Sequence, residues 1–244
     1  MFTKCLINMS NQFDFKQFSI RQDLCGMKVG TDGVLLGAWA SGGQNILDIG
    51  TGTGLIALMM AQRYPTAYIT ALDIESKACL QAQINADLSP FGGRIEVIQN
   101  SIQHFSAAHQ GLKSYDCIVS NPPFFVNSLK SKGNERTLAR HTDSLSYSEL
   151  FRSVSLLLSE NGMFSTIIPA DYAEQFISEG YIFGLFLTRK CFIRTVEGKP
   201  FKRCLLAFEK QKPFQIETLE VCMQTNKGDK THWYTTLTGD FYIK

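Results

Sequence analysis

Residues 45–63 read NILDIGTGTGLIALMMAQR, from Asn45 to Arg63. NILDI is an apolar run of buried-strand length, and LIALMMAQR behind it sets Leu55, Leu58, Met59 and Gln62 at the spacing of one helix face. Between them, Gly50, Gly52 and Gly54 let the backbone turn sharply and approach a ligand with no Cβ in the way. The helix that follows would aim its first amides at that ligand. A strand, a glycine turn and a helix in this order open an α/β unit.

The alternation continues outward from there. AYITALD (67–73) is the next strand, after the breaker Pro65. Ser76 is expected to cap a helix, KACLQAQINADL, that Pro90 and Gly92-Gly93 close. RIEVIQ (94–99) and YDCIVS (115–120) read as strands, and 127–143 as a long polar loop. SYSELFRSVSLLL then reads as a helix, GMFSTIIP as a strand and DYAEQFISEG as a helix. Two last strands, near 183–196 and 203–210, form a hairpin about Gly198-Lys199-Pro200. This is an α/β pattern with a mainly parallel sheet, whose ligands sit beyond the carboxyl ends of the strands. One domain over 1–244 is expected: an extension (1–44) over the cofactor site, a core (45–210) and a C-terminal segment (211–244) whose elements the pattern does not resolve.

Composition agrees with a globular chain. It has 244 residues, 44% hydrophobic and 19% charged, which rules out disorder, collagen-like repeats and coiled coils. A formal charge of +2, from 24 Lys+Arg and 22 Asp+Glu, neither demands nor excludes nucleic acid. Seven cysteines without a C-x-x-C point to reduced thiols, with no disulfide framework and no metal site. MFTKCLINMSNQF has no apolar stretch of signal-peptide length, so a soluble cytoplasmic protein is expected.

The loop also carries an acid, Asp48, and its third glycine is one place early for a G-x-G-x-x-G dinucleotide fingerprint, where Leu55 stands. An acid there would repel a pyrophosphate and suits a cationic ligand such as S-adenosylmethionine. Asp73 ends the next strand 23 residues after Gly50, where a carboxylate can accept hydrogen bonds from both ribose hydroxyls. The bland alternative, a tight turn with a surface acid, leaves the three alternating glycines and Asp73 as coincidences.

YDCIVS runs into Asn121-Pro122-Pro123-Phe124. Two prolines cannot continue a ladder, because neither has an amide hydrogen. Asn121 offers a side-chain carbonyl and Pro122 a main-chain carbonyl, which together can accept both hydrogens of a planar amine. Phe124 can stack on its ring. Such acceptors gain strength as charge develops on nitrogen during attack on a methyl group. A plain proline turn would need none of this.

LDIGTGTG followed by SNPPF resembles class I S-adenosylmethionine-dependent N-methyltransferases. FDFKQFSIRQDLCGMKVGTDGVLLGAW (13–39), LDIESKACLQAQINADLSPFGGRI (72–95) and HWYTTLTGDFY (232–242) narrow the resemblance to the bacterial valine-tRNA adenine-37 N6-methyltransferase family, over nearly the whole chain. The resemblance implies a Rossmann-like fold: a mainly parallel seven-stranded sheet with a C-terminal antiparallel strand and helices on both faces. It implies that Gly50, Gly52 and Gly54 meet the methionine part of the cofactor and Asp73 its ribose. Gly30, Thr31 and Asp32 would close over its carboxylate end. Asn121 and Pro122 would hold the target amine, with Phe124 on the adenine. Where many such enzymes place an acid for the cofactor's adenine amine, this chain has Ser101.

Single-stranded RNA suits two basic stretches. RKCFIRTVEGKPFKR holds Arg189, Lys190, Arg194, Lys199, Lys202 and Arg203, with Phe192 and Phe201 interleaved. KSKGNERTLARH adds Lys130, Lys132, Arg136, Arg140 and His141 just beyond the proline turn. Ordinary solvated surface is the competing reading for both. His104 and His109 are expected at the surface, and His232 shows no partner. A protein-glutamine N5-methyltransferase, an rRNA guanine-N2 methyltransferase and an inactive RNA-binding scaffold are the competing functions. The expected partner is a valine tRNA, with no obligatory protein partner.

Overall fold

The computed structural model describes residues 11–26, 28–111, 114–122 and 145–243. Ten strands and seven α-helices lie among them. The strands are β1 (Gln12–Asp14), β2 (Ser19–Arg21), β3 (Asn45–Ile49), β4 (Tyr68–Asp73), β5 (Ile95–Gln99), β6 (Tyr115–Ser120), β7 (Leu158–Pro169), β8 (Phe186–Val196), β9 (Arg203–Glu209) and β10 (Glu217–Gln224). The helices are α1 (Thr31–Trp39), α2 (Leu55–Arg63), α3 (Ser76–Asp87), α4 (Ile102–His109), α5 (Tyr147–Leu157), α6 (Ala173–Ile182) and α7 (His232–Thr238).

β1 and β2 form a small antiparallel hairpin, and the other eight strands one sheet, in the order β10-β8-β9-β7-β6-β3-β4-β5. Every pairing in that sheet is parallel except the two made by β9, which runs against both β7 and β8. The antiparallel strand is therefore inside the sheet, and the count is eight rather than seven. The additional strand, β10, comes from the C-terminal segment whose elements the sequence pattern does not resolve. ETLEVCMQ has no clean apolar alternation because it is an edge strand, exposed over its first half.

Two apolar layers hold the sheet. On one face, Val34, Leu35, Leu36 of α1, Leu55–Ala61 of α2 and Tyr234 of α7 pack with Ile46, Ile69 and Ile193. On the other, Phe105, Leu150, Phe151, Val154 and Phe176 of α4, α5 and α6 pack with Leu47, Ile118, Phe164 and Phe208. The one-faced pattern read for α2 gives way to a helix buried all round from Leu55 to Ala61, because it lies between the sheet and α1. The chain's two ends meet: Phe15 bridges to Tyr242, and Phe13, Phe15, Phe18 and Tyr242 form an aromatic seam. Ser76 is the first residue of α3, not its cap; Glu75 takes the cap position without a side-chain bond. Among the described residues, no helix is long and apolar enough to cross a membrane.

Candidate functional site

The chain runs β3, β4, β5 toward one edge and then returns to lay β6 on the other side of β3. That reversal opens a crevice beyond the carboxyl ends of β3 and β6, where open α/β sheets bind ligands. Ile49 and Ser120 are partners in register, and Ser120 Oγ donates to the Ile49 carbonyl at 3.0 Å. The glycine turn leaving β3 and the Asn121-Pro122 turn leaving β6 thus start side by side.

Gly50, Gly52 and Gly54 have φ of 73°, 56° and 80°, a region that any residue with a Cβ enters at a cost. At Gly50 and Gly52 a Cβ would meet nothing within 4 Å, so the two face open space that a ligand can use. At Gly54 it would come within 3.3 Å of Ala82 Cα, so α3 presses on the back of the loop. The Gly50 and Thr51 amides both donate to the Leu72 carbonyl, at 2.8 and 3.0 Å, which ties the loop to β4.

Asp48 and Asp73 hold this loop from two sides. Asp73 accepts from the Gly52 amide at 2.9 Å and from the Glu75 amide at 3.0 Å, and each oxygen keeps a free lone pair. Asp48 is fully buried; its Oδ2 accepts from Thr51 Oγ1 at 2.7 Å and from the Ala57 amide at 3.2 Å. It clasps the loop and the first turn of α2 from behind rather than offering a carboxylate to solvent. Burial raises its pKa to about 7, against the bonds from Thr51 and Ala57 and with the charge of Asp73.

Among the described residues, Asn121 Oδ1 is a buried acceptor with no hydrogen-bond partner. A buried carbonyl left unpaired is costly, so the atom is suited to a donor brought by a ligand. Pro122 is buried beside it. Pro123, Phe124, Lys130, Lys132, Arg136, Arg140 and His141 lie outside the described residues.

Thr31 and Asp32 form the first turn of α1, and Asp32 reaches Arg203, which lies opposite Pro169 at the end of β7. Asp32 accepts from Arg203 Nε at 2.6 Å, so two residues expected to serve different ligands are joined to each other. With Leu35, Ile193, Lys202 and Met223 they line one cavity of about 270 Å³. Ser101 serves the fold locally, because its Oγ accepts from the His104 amide and caps α4. His109 is half-buried, stacked on Phe105 with a ring nitrogen at 2.8 Å from the Phe105 carbonyl, while His104 is exposed.

Two buried amides on α3 escaped the sequence reading. Asn85, fully buried, bonds to both Arg21 and Thr53, and Gln81 Oε1 accepts from the Leu24 amide at 2.9 Å. Their signal was two amides four apart, Gln81 and Asn85, on the face that also carries Ala78 and Ala82.

Comparison with known proteins decides the family. Residues 30–147 match the methyltransferase small domain family. A tRNA1(Val) (adenine(37)-N6)-methyltransferase of Bacteroides fragilis is 46% identical over 95% of this chain and 98% of its own length. That of Trichodesmium erythraeum is 46% identical over 96% and 98%. The chain belongs to this methyltransferase family. A crystal structure from Agrobacterium tumefaciens, described as a predicted O-methyltransferase, shares the fold with a TM-score of 0.68 at 19% identity, over 86% of this chain and 96% of that one. The cofactor of the methyltransferase is S-adenosylmethionine. The open faces of Gly50 and Gly52, the lone pairs left on Asp73 and the unpaired Asn121 Oδ1 fit such a molecule.

In the methyltransferase the basic stretch on β8 and β9 divides. Arg189 stacks on Trp39 at 4.4 Å and pairs with Glu217 at 3.2 Å. Arg194 stacks on Phe201 at 3.8 Å and pairs with Glu220 at 3.0 Å. Both partners stand on β10, the strand the sequence did not show, so these arginines join strands and are not a bare positive surface. Lys190 lies 5.7 Å from the Phe192 ring centroid, and Lys199 and Lys202 are exposed around the hairpin.

Proposed function

We propose that this methyltransferase transfers the methyl group of S-adenosylmethionine to the exocyclic N6 of adenine 37 in the anticodon loop of a valine tRNA. The observation that carries the reading is the pairing of Ile49 with Ser120. It sets the glycine turn and the unpartnered Asn121 Oδ1 at one crevice. S-adenosylmethionine supplies an electrophilic methyl group. Gly50 and Gly52 give its amino-acid end room, and Asp73 accepts from its ribose. Thr31, Asp32 and Ser101 are the further side chains that would help hold it, Ser101 while also capping α4.

Asn121 Oδ1 accepts one N6 hydrogen and the Pro122 carbonyl the other, which turns the nitrogen lone pair toward the methyl carbon. As positive charge grows on nitrogen both bonds strengthen, so the transition state is held more tightly than the bound base. No strong base is needed, because the proton leaves to water after transfer. Pro123 follows directly in the sequence, and Phe124 is the residue proposed to stack on the adenine. The base must be splayed from its loop, at a cost of a few kcal/mol. Lys130, Lys132, Arg136 and Arg140 next to the turn, with Lys190, Lys199 and Lys202, would offset part of that cost through phosphate contacts. Residues 1–44, 45–210 and 211–244 act in this reading as one catalytic domain.

Purified protein incubated with labelled S-adenosylmethionine and tRNA from a strain lacking its gene should place label in N6-methyladenosine of one valine tRNA. Label in guanosine or in protein glutamine would replace this reading with one of its competitors. Asn121→Ala should lower kcat by about 10²–10³-fold, with cofactor affinity changed only a few-fold. Unchanged turnover would remove the proposed role of the amide.

A further inference from the structure

Asn85 sits at the meeting point of two parts of the molecule, the end of β2 and the glycine loop. Its Oδ1 accepts from the Arg21 amide at 2.9 Å, and its Nδ2 donates to the Arg21 carbonyl at 2.9 Å and to the Thr53 carbonyl at 2.8 Å. Both N–H bonds are used, and the amide orientation is settled by its partners, since the reverse would set NH2 against an N–H. Toward Arg21, the last residue of β2, the side chain behaves as a neighbouring strand would, giving and taking one bond each. Toward Thr53 it grips the glycine loop between Gly52 and Gly54. It is wholly excluded from water, so none of the three bonds can be exchanged for solvent.

The N-terminal segment leads from that point to the rim of the site. Gln81, one turn earlier on α3, holds the Leu24 amide, and Gln22 Oε1 accepts from the Val29 amide at 2.8 Å. Cys25 lies near enough to Asp73 and Glu75 for their charges, after burial itself, to push its thiol up to about 11. A ligand that settles the loop into the geometry in which the Thr53 carbonyl faces Asn85 also settles the amide that binds Arg21. By linkage, docking of the segment must then strengthen the ligand by the same factor.

We propose that Asn85 is a positioning residue that couples cofactor binding at the glycine loop to docking of residues 21–25 beside it. This rests on the reading that the loop holds S-adenosylmethionine.

The test uses the full-length protein and S-adenosylhomocysteine, with Kd from calorimetry and amide hydrogen exchange over the Arg21–Leu24 stretch. In the wild type, ligand should slow exchange at Arg21 and Leu24. Asn85→Ala should raise Kd about tenfold, within the range usual for coupled sites. At saturating ligand it should show no such slowing. Asn85→Asp keeps the acceptor for the Arg21 amide but sets an oxygen against two carbonyls. It should behave the same way, and it carries the test if the alanine variant does not fold. A variant with a lower Tm but wild-type Kd and wild-type ligand-induced protection would overturn the coupling and leave Asn85 a packing residue. A wild-type protein that binds no S-adenosylhomocysteine would overturn the cofactor reading and this inference with it; wild-type binding with unchanged variants overturns this inference alone.

Discussion

Asp48 is an acid placed where water cannot reach it, held by a threonine hydroxyl and one amide, with its other oxygen unpaired. The folded-state pKa of about 7 stands above the ordinary carboxylate value of 3.8, so the folded protein binds the proton more tightly than the unfolded chain. The contribution to stability is greatest below the unfolded value and is lost as pH rises through the folded one. Without ligand, Tm should therefore fall between pH 5 and pH 8. Asp48→Asn, which keeps an acceptor for Thr51 and Ala57, should flatten that fall by an amount worth about 2 kcal/mol or more. Thermal melts across that range decide it; parallel curves would mean that Asp48 stays ionised in the fold. At the same scale Ser101 shows why a hydroxyl in a loop is ambiguous in sequence. A helix cap and a ligand contact ask for the same residue type, and here the cap is visible in the bond from His104.

Among the elements, α5 has its start written most fully in the local sequence. Ser146 Oγ accepts from the Glu149 amide, and Glu149 accepts in return from the Ser146 amide at 3.0 Å, a reciprocal capping box. The bonds from Ser146 hold the Glu149 carboxyl below its usual range. Ser146→Ala should cost about 1 kcal/mol, seen as a Tm lower by roughly 2–4 °C, with Kd for S-adenosylhomocysteine unmoved. A loss of cofactor affinity instead would mean that α5 helps shape the crevice. β10 is the opposite case. Its residues make sense only against β8, where Glu217 and Glu220 meet Arg189 and Arg194.

The whole molecule sorts its positive charges by what surrounds them. Arg189, stacked on Trp39 and paired across strands, should act on stability: Arg189→Ala should lower Tm by about 2–4 °C and leave the tRNA KM within about twofold. Lys199 and Lys202 stand exposed at the hairpin between β8 and β9, where a phosphate can reach them. Replacing both with alanine should raise the tRNA KM several-fold and reduce its log–log salt slope by about 1.4, the share of two phosphate contacts on a single strand. Steady-state assays over a range of KCl measure both. An unchanged slope would show that RNA does not pass over this hairpin.

The turn of glycines after NILDI, the following helix, Asp73 and the Asn121-Pro122 turn were legible because each is local chemistry. A positive φ, a missing amide hydrogen or a strand-end acid is a property of one residue and its neighbours. The sequence by itself determined the α/β order and the glycine loop, and it marked Asp73, Asn121 and Pro122 as the residues proposed to carry the chemistry. Tertiary structure alone decided which partners those residues have. Asp32 meets Arg203 from the far end of the chain, Asn85 joins β2 to the glycine loop, and a C-terminal strand pairs with the basic strand β8. Such contacts come from pairing between distant segments, and a side chain's own periodicity carries no record of what will be folded against it.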